Sequence, residues 1–185
     1  MANYYNIDSI IMEDELVSVV FKVDASGVGL LDPGAESNIV EKGGKVDLPF
    51  WLGQELHMRQ AVVVGLPPCF NKTTRKEIQA DAACVDLQIR CSYFYELGCK
   101  IAPLIGDRTI GNFLLTAFTS RYKDVLSKAH SAAFIVAPKF LSLLTKEETQ
   151  LYEAARTSMT AFKKWRVGGP RFERASILRK RKPTD

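Results

Sequence analysis

The residues best suited to hold a metal or act as a nucleophile are four cysteines and two histidines. Cys69, Cys84, Cys91 and Cys99 stand 15, 7 and 8 residues apart, and no two form a C-x-x-C pair. His57 and His130 have no second histidine or cysteine within a few residues. Zinc sites draw their ligands from close pairs, so this spacing reads as buried reduced thiols, and neither a metal nor a cofactor is expected. The phosphate-cradling G-x-x-x-x-G-K-[ST] loop, the G-x-S-x-G elbow and the H-E-x-x-H helix are all missing from the sequence. The expectation is a protein that is not an enzyme and works through its surfaces.

Charge is the next chemical resource. From Lys163 to Lys182 nine basic residues face Glu173 alone, a local charge of +8, which with Asp185 leaves Met1 to Phe162 at −3 of the overall +4. The cluster Arg179, Lys180, Arg181 and Lys182 is open to three readings: a solvated end, a nuclear import patch, or a phosphate contact. Four adjacent charges without interleaved aromatics lack the stacking platform of a single-strand binder. Phosphate attraction alone would be salt-dependent and blind to sequence.

Aromatic residues are the third resource. The stretch Lys45 to Leu56, KVDLPFWLGQEL, separates short apolar runs from a chain with helical periodicity, and it reads as a seam between two domains. Pro49 fits the first helical turn and Asp47 its cap. Phe50, Trp51 and Leu52 cannot all face one side of an amphipathic helix, so at least one must meet another domain or chain. Tyr93 and Tyr95 lie off the inner stripe of their predicted helix. Phe50, Trp51, Tyr93 and Tyr95 are therefore the candidate subunit interface, with packing inside the chain as the alternative.

The elements that position these groups follow from periodicity. Leu16 to Val23 alternates Val17, Val19, Phe21 and Val23 against Ser18 and Lys22, a half-buried strand. Turns are expected at Asp24–Gly27, Asp32–Pro33–Gly34 and Gly43–Gly44. Ala61 to Leu66 reads as a strand or extended crossing. Thr74 to Glu77 has capping-box spacing and predicts a helix through Ala83. A further helix runs from about Val85 to Ile105, with Leu87, Phe94, Leu97, Ile101 and Leu104 inside. The clearest runs from an Asp107 cap to about Ala133, with Ile110, Phe113, Leu114, Ala117, Phe118, Tyr122, Val125, Leu126 and Ala129 on its stripe. At about 40 Å it is longer than one small core can cover. Thr145 to Glu148 is a second capping box, opening a helix with Leu151, Ala155, Met159, Phe162 and Trp165 on one side and a stop at Gly168–Gly169–Pro170.

The fold class is thus mainly α with a small β domain: 1–46 short-stranded and β-rich, 47–170 a helical bundle, 171–185 a basic tail. A sheet of some 43 residues cannot stand alone and must dock on something. With 46% hydrophobic and 25% charged residues the composition is that of a soluble protein. No apolar run reaches the ~18 residues of a membrane span, and MANYYNIDSI lacks the features of a secretion signal, so a cytosolic or nuclear location is expected.

The order of a small β domain, LPFWL, VDLQIRCSYFYELG, D-x-x-I-x-x-F-L-L-x-x-F-x-x-R-Y (Asp107 to Tyr122) and a closing RKRKPTD resembles the Psf-three subunits of the eukaryotic GINS complex, over nearly the whole chain from Tyr4. The β domain preceding the helical one matches the arrangement of two of the four GINS subunits. The resemblance implies a B-domain-like unit followed by an A-domain-like bundle. It also implies a non-catalytic scaffold of a heterotetramer with Sld-five, Psf-one and Psf-two. Through these the chain would reach the minichromosome-maintenance (MCM) helicase ring and its cell-division-cycle (CDC) cofactor protein in the nucleus. The competing class is a stand-alone basic nucleic-acid-binding protein.

Overall fold

The structure, a computed structural model, describes residues 6–27, 39–131 and 138–167. A short helix α1 (Ile7–Glu13), capped by the Asn6 side chain, leads into strand β1 (Leu16–Phe21). β1 is the centre of a three-stranded antiparallel sheet, flanked by β4 (Lys45–Pro49) and β5 (Val62–Val64). Val17 pairs with Leu48, Val19 with Val46 and Val64, and Phe21 with Val62, so one register puts every buried side chain on the same face. Two short strands, β2 (Ala25–Ser26) and β3 (Ile39–Val40), form a separate ribbon.

Helix α2 (Phe50–Met58) lies directly on that face. Its Gly53 permits the approach, since a Cβ there would stand 3.2 Å from a Val17 methyl and 3.3 Å from a Val19 methyl. After a 3-10 turn at Pro68–Phe70 come α3 (Lys72–Asp81), α4 (Leu87–Arg90), α5 (Phe94–Ile105), α6 (Arg108–Ser131), α7 (Pro138–Leu141) and α8 (Lys146–Val167). One core joins the sheet to α1, α2, α3, α5 and the first half of α6 through Phe21, Phe50, Phe70 and Phe94. Each such side chain contributes about 1.5–3 kcal/mol when fully buried. A second core joins Val125 and Ala129 of α6 to Leu144, Tyr152 and Ala155.

Several expectations are corrected here. The boundary at 46/47 falls inside β4, and β5 adds a third strand downstream of α2, so the sheet reaches Val64 and shares its core with the bundle. Asp47 sits in β4 opposite Ser18 rather than capping α2, and Pro49 occupies the cap position. β1 ends at Phe21, leaving Val23 exposed. α3 starts at Lys72, because Asn71 Oδ1 takes the Thr74 N–H at 2.8 Å, which makes Thr74 a first-turn residue and not a cap. The continuous helix expected over 85–105 breaks at Cys91, whose extended backbone separates α4 from α5. Cys69 and Cys91 are buried as expected, but Cys84 and Cys99 are exposed; all four are free thiols. The turn at 32–34, the stop at 168–170 and the tail 171–185 lie outside the described residues.

Candidate assembly surface

The four aromatic candidates separate. Phe50 is fully buried between sheet and bundle, its N–H donating to the Glu15 carbonyl at 2.9 Å. Tyr93 is buried too, its hydroxyl 3.3 Å from Asp8 Oδ1, which helps to hold α1 on the bundle. Tyr95 is half-buried, packed edge-on against Phe94 and Phe118. Trp51 alone stays open, at 47% exposure. Packing within the chain accounts for Phe50 and Tyr93, while about half of Trp51 stays in solvent. Arg179, Lys180, Arg181 and Lys182 lie outside the described residues.

The head of α8 is built from polar groups that the periodicity did not single out. Thr145 and Glu148 form the expected capping box: the Glu148 N–H donates to Thr145 Oγ1 at 3.3 Å and the Thr145 N–H to Glu148 Oε2 at 3.2 Å. Glu148 is nonetheless buried, because its carboxylate meets the buried Arg121 of α6, with Nε to Oε1 at 2.6 Å and Nη2 to Oε2 at 2.8 Å. The Tyr95 hydroxyl donates to the same Oε1 at 2.8 Å. Burial first, and the Glu148 charge second, push the Tyr95 phenol well above its usual range and keep it a donor. Arg121 could have been suspected: it falls four residues after Ala117 and four before Val125, a charge on the inner stripe.

The Arg121–Glu148 pair and the core beyond it show the direction of α8. Beyond the Arg121–Glu148 pair, Val125 and Ala129 of α6 share a core with Tyr152 and Ala155 of α8, so both helices leave the pair in the same direction. From the pair, α6 continues to Ser131, about 15 Å, whereas α8 continues to Val167, about 28 Å. The last turns of α8 therefore project past the described end of α6. The stripe Leu151, Ala155, Met159, Phe162 keeps its spacing across this change, from buried at Ala155 to 50% exposed at Phe162; Trp165 is 76% and Val167 87% exposed. The Phe162 and Trp165 rings pack on each other at 5.7 Å. Leu115, Phe118 and Tyr122 form a smaller exposed stripe on α6.

Apolar side chains arranged in line and left in solvent offer a surface for binding. Among the described residues no group of three or more His, Cys, Asp or Glu could hold a metal ion. No described helix is long and apolar enough to cross a membrane. The Cys91 thiol is pushed far up, first by the Cys69 thiol beside it and then by burial, which leaves it a poor nucleophile.

Fold and surface together define a class: a small N-terminal sheet sharing a core with a helical bundle, from which one helix holds an apolar end out into solvent. Comparison with known proteins makes this specific. A family model described as the PSF3 N-terminal domain matches residues 5–58, and one described as the GINS complex protein helical bundle domain matches residues 69–167. The chain is 30% identical over 173 residues to a DNA replication complex GINS protein PSF3 of Phaeosphaeria nodorum, covering 89% of this chain and 96% of that protein. It is also 30% identical over 180 residues to one of Eremothecium gossypii (88% and 97%), and 24% over 170 residues to one of Xenopus laevis (90% and 81%). The chain belongs to the PSF3 family of GINS complex proteins.

Proposed function

We propose that this chain is a non-catalytic scaffold of the GINS heterotetramer, held with Sld-five, Psf-one and Psf-two, and that it acts in the nucleus. In this reading the tetramer associates with the MCM ring and its CDC cofactor, and the resulting helicase serves both initiation and elongation of DNA replication. The sheet-bearing N-terminal part and the bundle act as B-domain-like and A-domain-like units, followed by a basic tail. The observation that carries the proposal is the projecting end of α8, where a core stripe continues into solvent through Phe162 and Trp165. A helix of another subunit laid along it would bury two aromatic rings, worth about 1.5–3 kcal/mol each, without disturbing this chain's own cores. Trp51 offers a second, smaller contact.

The test is co-expression with the three other subunits, read by size-exclusion chromatography with light scattering. The wild-type chain should enter a 1:1:1:1 assembly. Phe162→Ala/Trp165→Ala should fold with an unchanged melting temperature and assemble at least tenfold more weakly. Undiminished assembly would remove α8 from the interface.

One feature favours a second reading. Lys163, Lys164 and Arg166 flank the same two exposed rings, a combination that suits single-stranded nucleic acid bound by a stand-alone protein. Submicromolar binding of a labelled oligonucleotide by the isolated chain at physiological salt would support it.

A further inference from the structure

The Arg121–Glu148 pair is more elaborate than joining two helices requires. Arginine carries five N–H donors in a rigid fork, and here each has an acceptor. Nε and one Nη2 hydrogen go to Glu148; Nη1 serves the Ala82 and Val85 carbonyls, and the other Nη2 hydrogen the Leu143 carbonyl at 3.1 Å. Glu148 in turn takes four donors: two from Arg121, one from Tyr95 and one from the Thr145 N–H. One fork thus gathers α6, the loop between α3 and α4, the loop after α7 and the head of α8.

A neighbouring carboxylate makes the arrangement directional. Glu147 Oε1 accepts the backbone N–H groups of Tyr95 and Glu96, at 3.2 and 3.0 Å, in place of a side-chain cap on α5. The Lys146 N–H donates to the Ser92 carbonyl at 2.9 Å. Consecutive helical residues point about 100° apart, so Glu147 and Glu148 reach two different helices at once. A slip of α8 by one residue would separate both carboxylates from their donors. The apolar seam beneath, shared by Val125 and Ala129 with Tyr152 and Ala155, favours the same face, but apolar contact is non-directional and fixes the rotation less sharply than two hydrogen-bonded carboxylates do.

The tip of α8 lies 17 residues beyond Glu148, about 26 Å away, without α6 beneath it. A one-residue slip would turn the Phe162 and Trp165 rings by about 100° about the helix axis. We infer that the buried Arg121–Glu148 pair, seconded by Glu147, is a register key that fixes the azimuth and reach of α8 and thereby aims its exposed aromatic end. The purpose assigned to that aim rests on the assembly reading above; the key itself does not.

The experiment measures register directly. Nitroxides are placed on the full-length chain at Thr116 of α6 and Lys164 of α8, with the exposed Cys84 and Cys99 changed to serine, and their separation is read by double electron–electron resonance. The unaltered pair should give one narrow distance distribution. Arg121→Lys keeps the charge but not the fork, and Glu148→Gln keeps the shape but not four acceptors. Both should retain helicity and a cooperative melt while the distribution at least doubles in width or shifts. An unchanged narrow distribution in both would overturn the inference. Loss of helicity and of the cooperative melt in both would overturn it equally, since the pair would then be a folding requirement. The Phe162→Ala/Trp165→Ala chain decides the other question separately: it should keep the narrow distribution, so its assembly reports on the interface alone.

Discussion

Two glycines in adjacent helices allow one substitution to be predicted with opposite signs. Gly98 lies in α5 and Gly111 in α6, and replacing glycine by alanine inside a helix is favourable by about 1 kcal/mol on backbone propensity alone. At Gly111 a new Cβ meets nothing within 4 Å, so the propensity term stands alone. Gly111→Ala should stabilise by about 0.5–1 kcal/mol. At Gly98 the same atom would come within 2.7 and 2.8 Å of the Leu114 methyls and 3.1 Å of Phe70 Cζ. Leu114 and Phe70 are both buried and cannot swing into solvent, so relieving the clash means moving α5 off α6 or forcing a strained rotamer, at about 1–3 kcal/mol. The net for Gly98→Ala is a loss of about 1 kcal/mol. At about 2–4 °C per kcal/mol for a chain of this size, the two variants should melt on opposite sides of wild type, about 3–8 °C apart. Calorimetry or circular dichroism melts, with urea titration to check that the slope is unchanged, give the answer. A Gly98→Ala protein as stable as Gly111→Ala would show that the α5–α6 contact is not as close as described.

Phe50→Ala should cost about 3–5 kcal/mol and Trp51→Ala no more than about 1–2, since only the first is fully buried; equal losses in urea melts would contradict their placement. Asp107 is held below the ordinary carboxylate range, first by the Thr109 hydroxyl and then by the Thr109 N–H. A lowered folded value means that its contribution is complete above the usual ~3.9 and lost as pH falls through the folded value. The difference in melting temperature between wild type and Asp107→Ala should therefore be constant near neutrality and shrink below about pH 4; a gap that persists to pH 2 would refute the capping role. Deleting Arg179 to Lys182 should leave assembly with the other GINS subunits intact in the co-expression assay, and loss of the complex would move the tail into the interface.

What was legible in the sequence was whatever depends on local spacing. The alternation in Leu16 to Phe21, the stripe of Ile110, Phe113, Leu114, Ala117, Val125 and Ala129, though not its expected members Phe118 and Tyr122, and the Thr145–Glu148 capping box stand in the structure, because strand pleat, helix period and cap geometry are set within a few residues. The β-then-helical order and the motifs around LPFWL and FYELG were enough to suggest the family. Local spacing failed where a distant group competes for the same atoms. The α4–α5 break at Cys91 is stabilised by Glu147, more than fifty residues away, whose carboxylate takes up the free N–H groups of the new helix. Phe50 and Trp51 are adjacent large aromatics, and only the docking of α2 on the sheet decides which is buried. Arg121 could be seen as a charge on an apolar stripe, but its partner sits 27 residues on, and the choice of Glu148 over Glu147 depends on how α8 meets two other helices. The sequence by itself determined β1, the course of α6, the cap of α8 and the β-then-helical order, since those rest on short-range stereochemistry, and its motifs suggested the family. The tertiary structure decided which apolar and charged side chains are enclosed and which end of α8 is left in solvent, since burial depends on what the rest of the chain brings to each face.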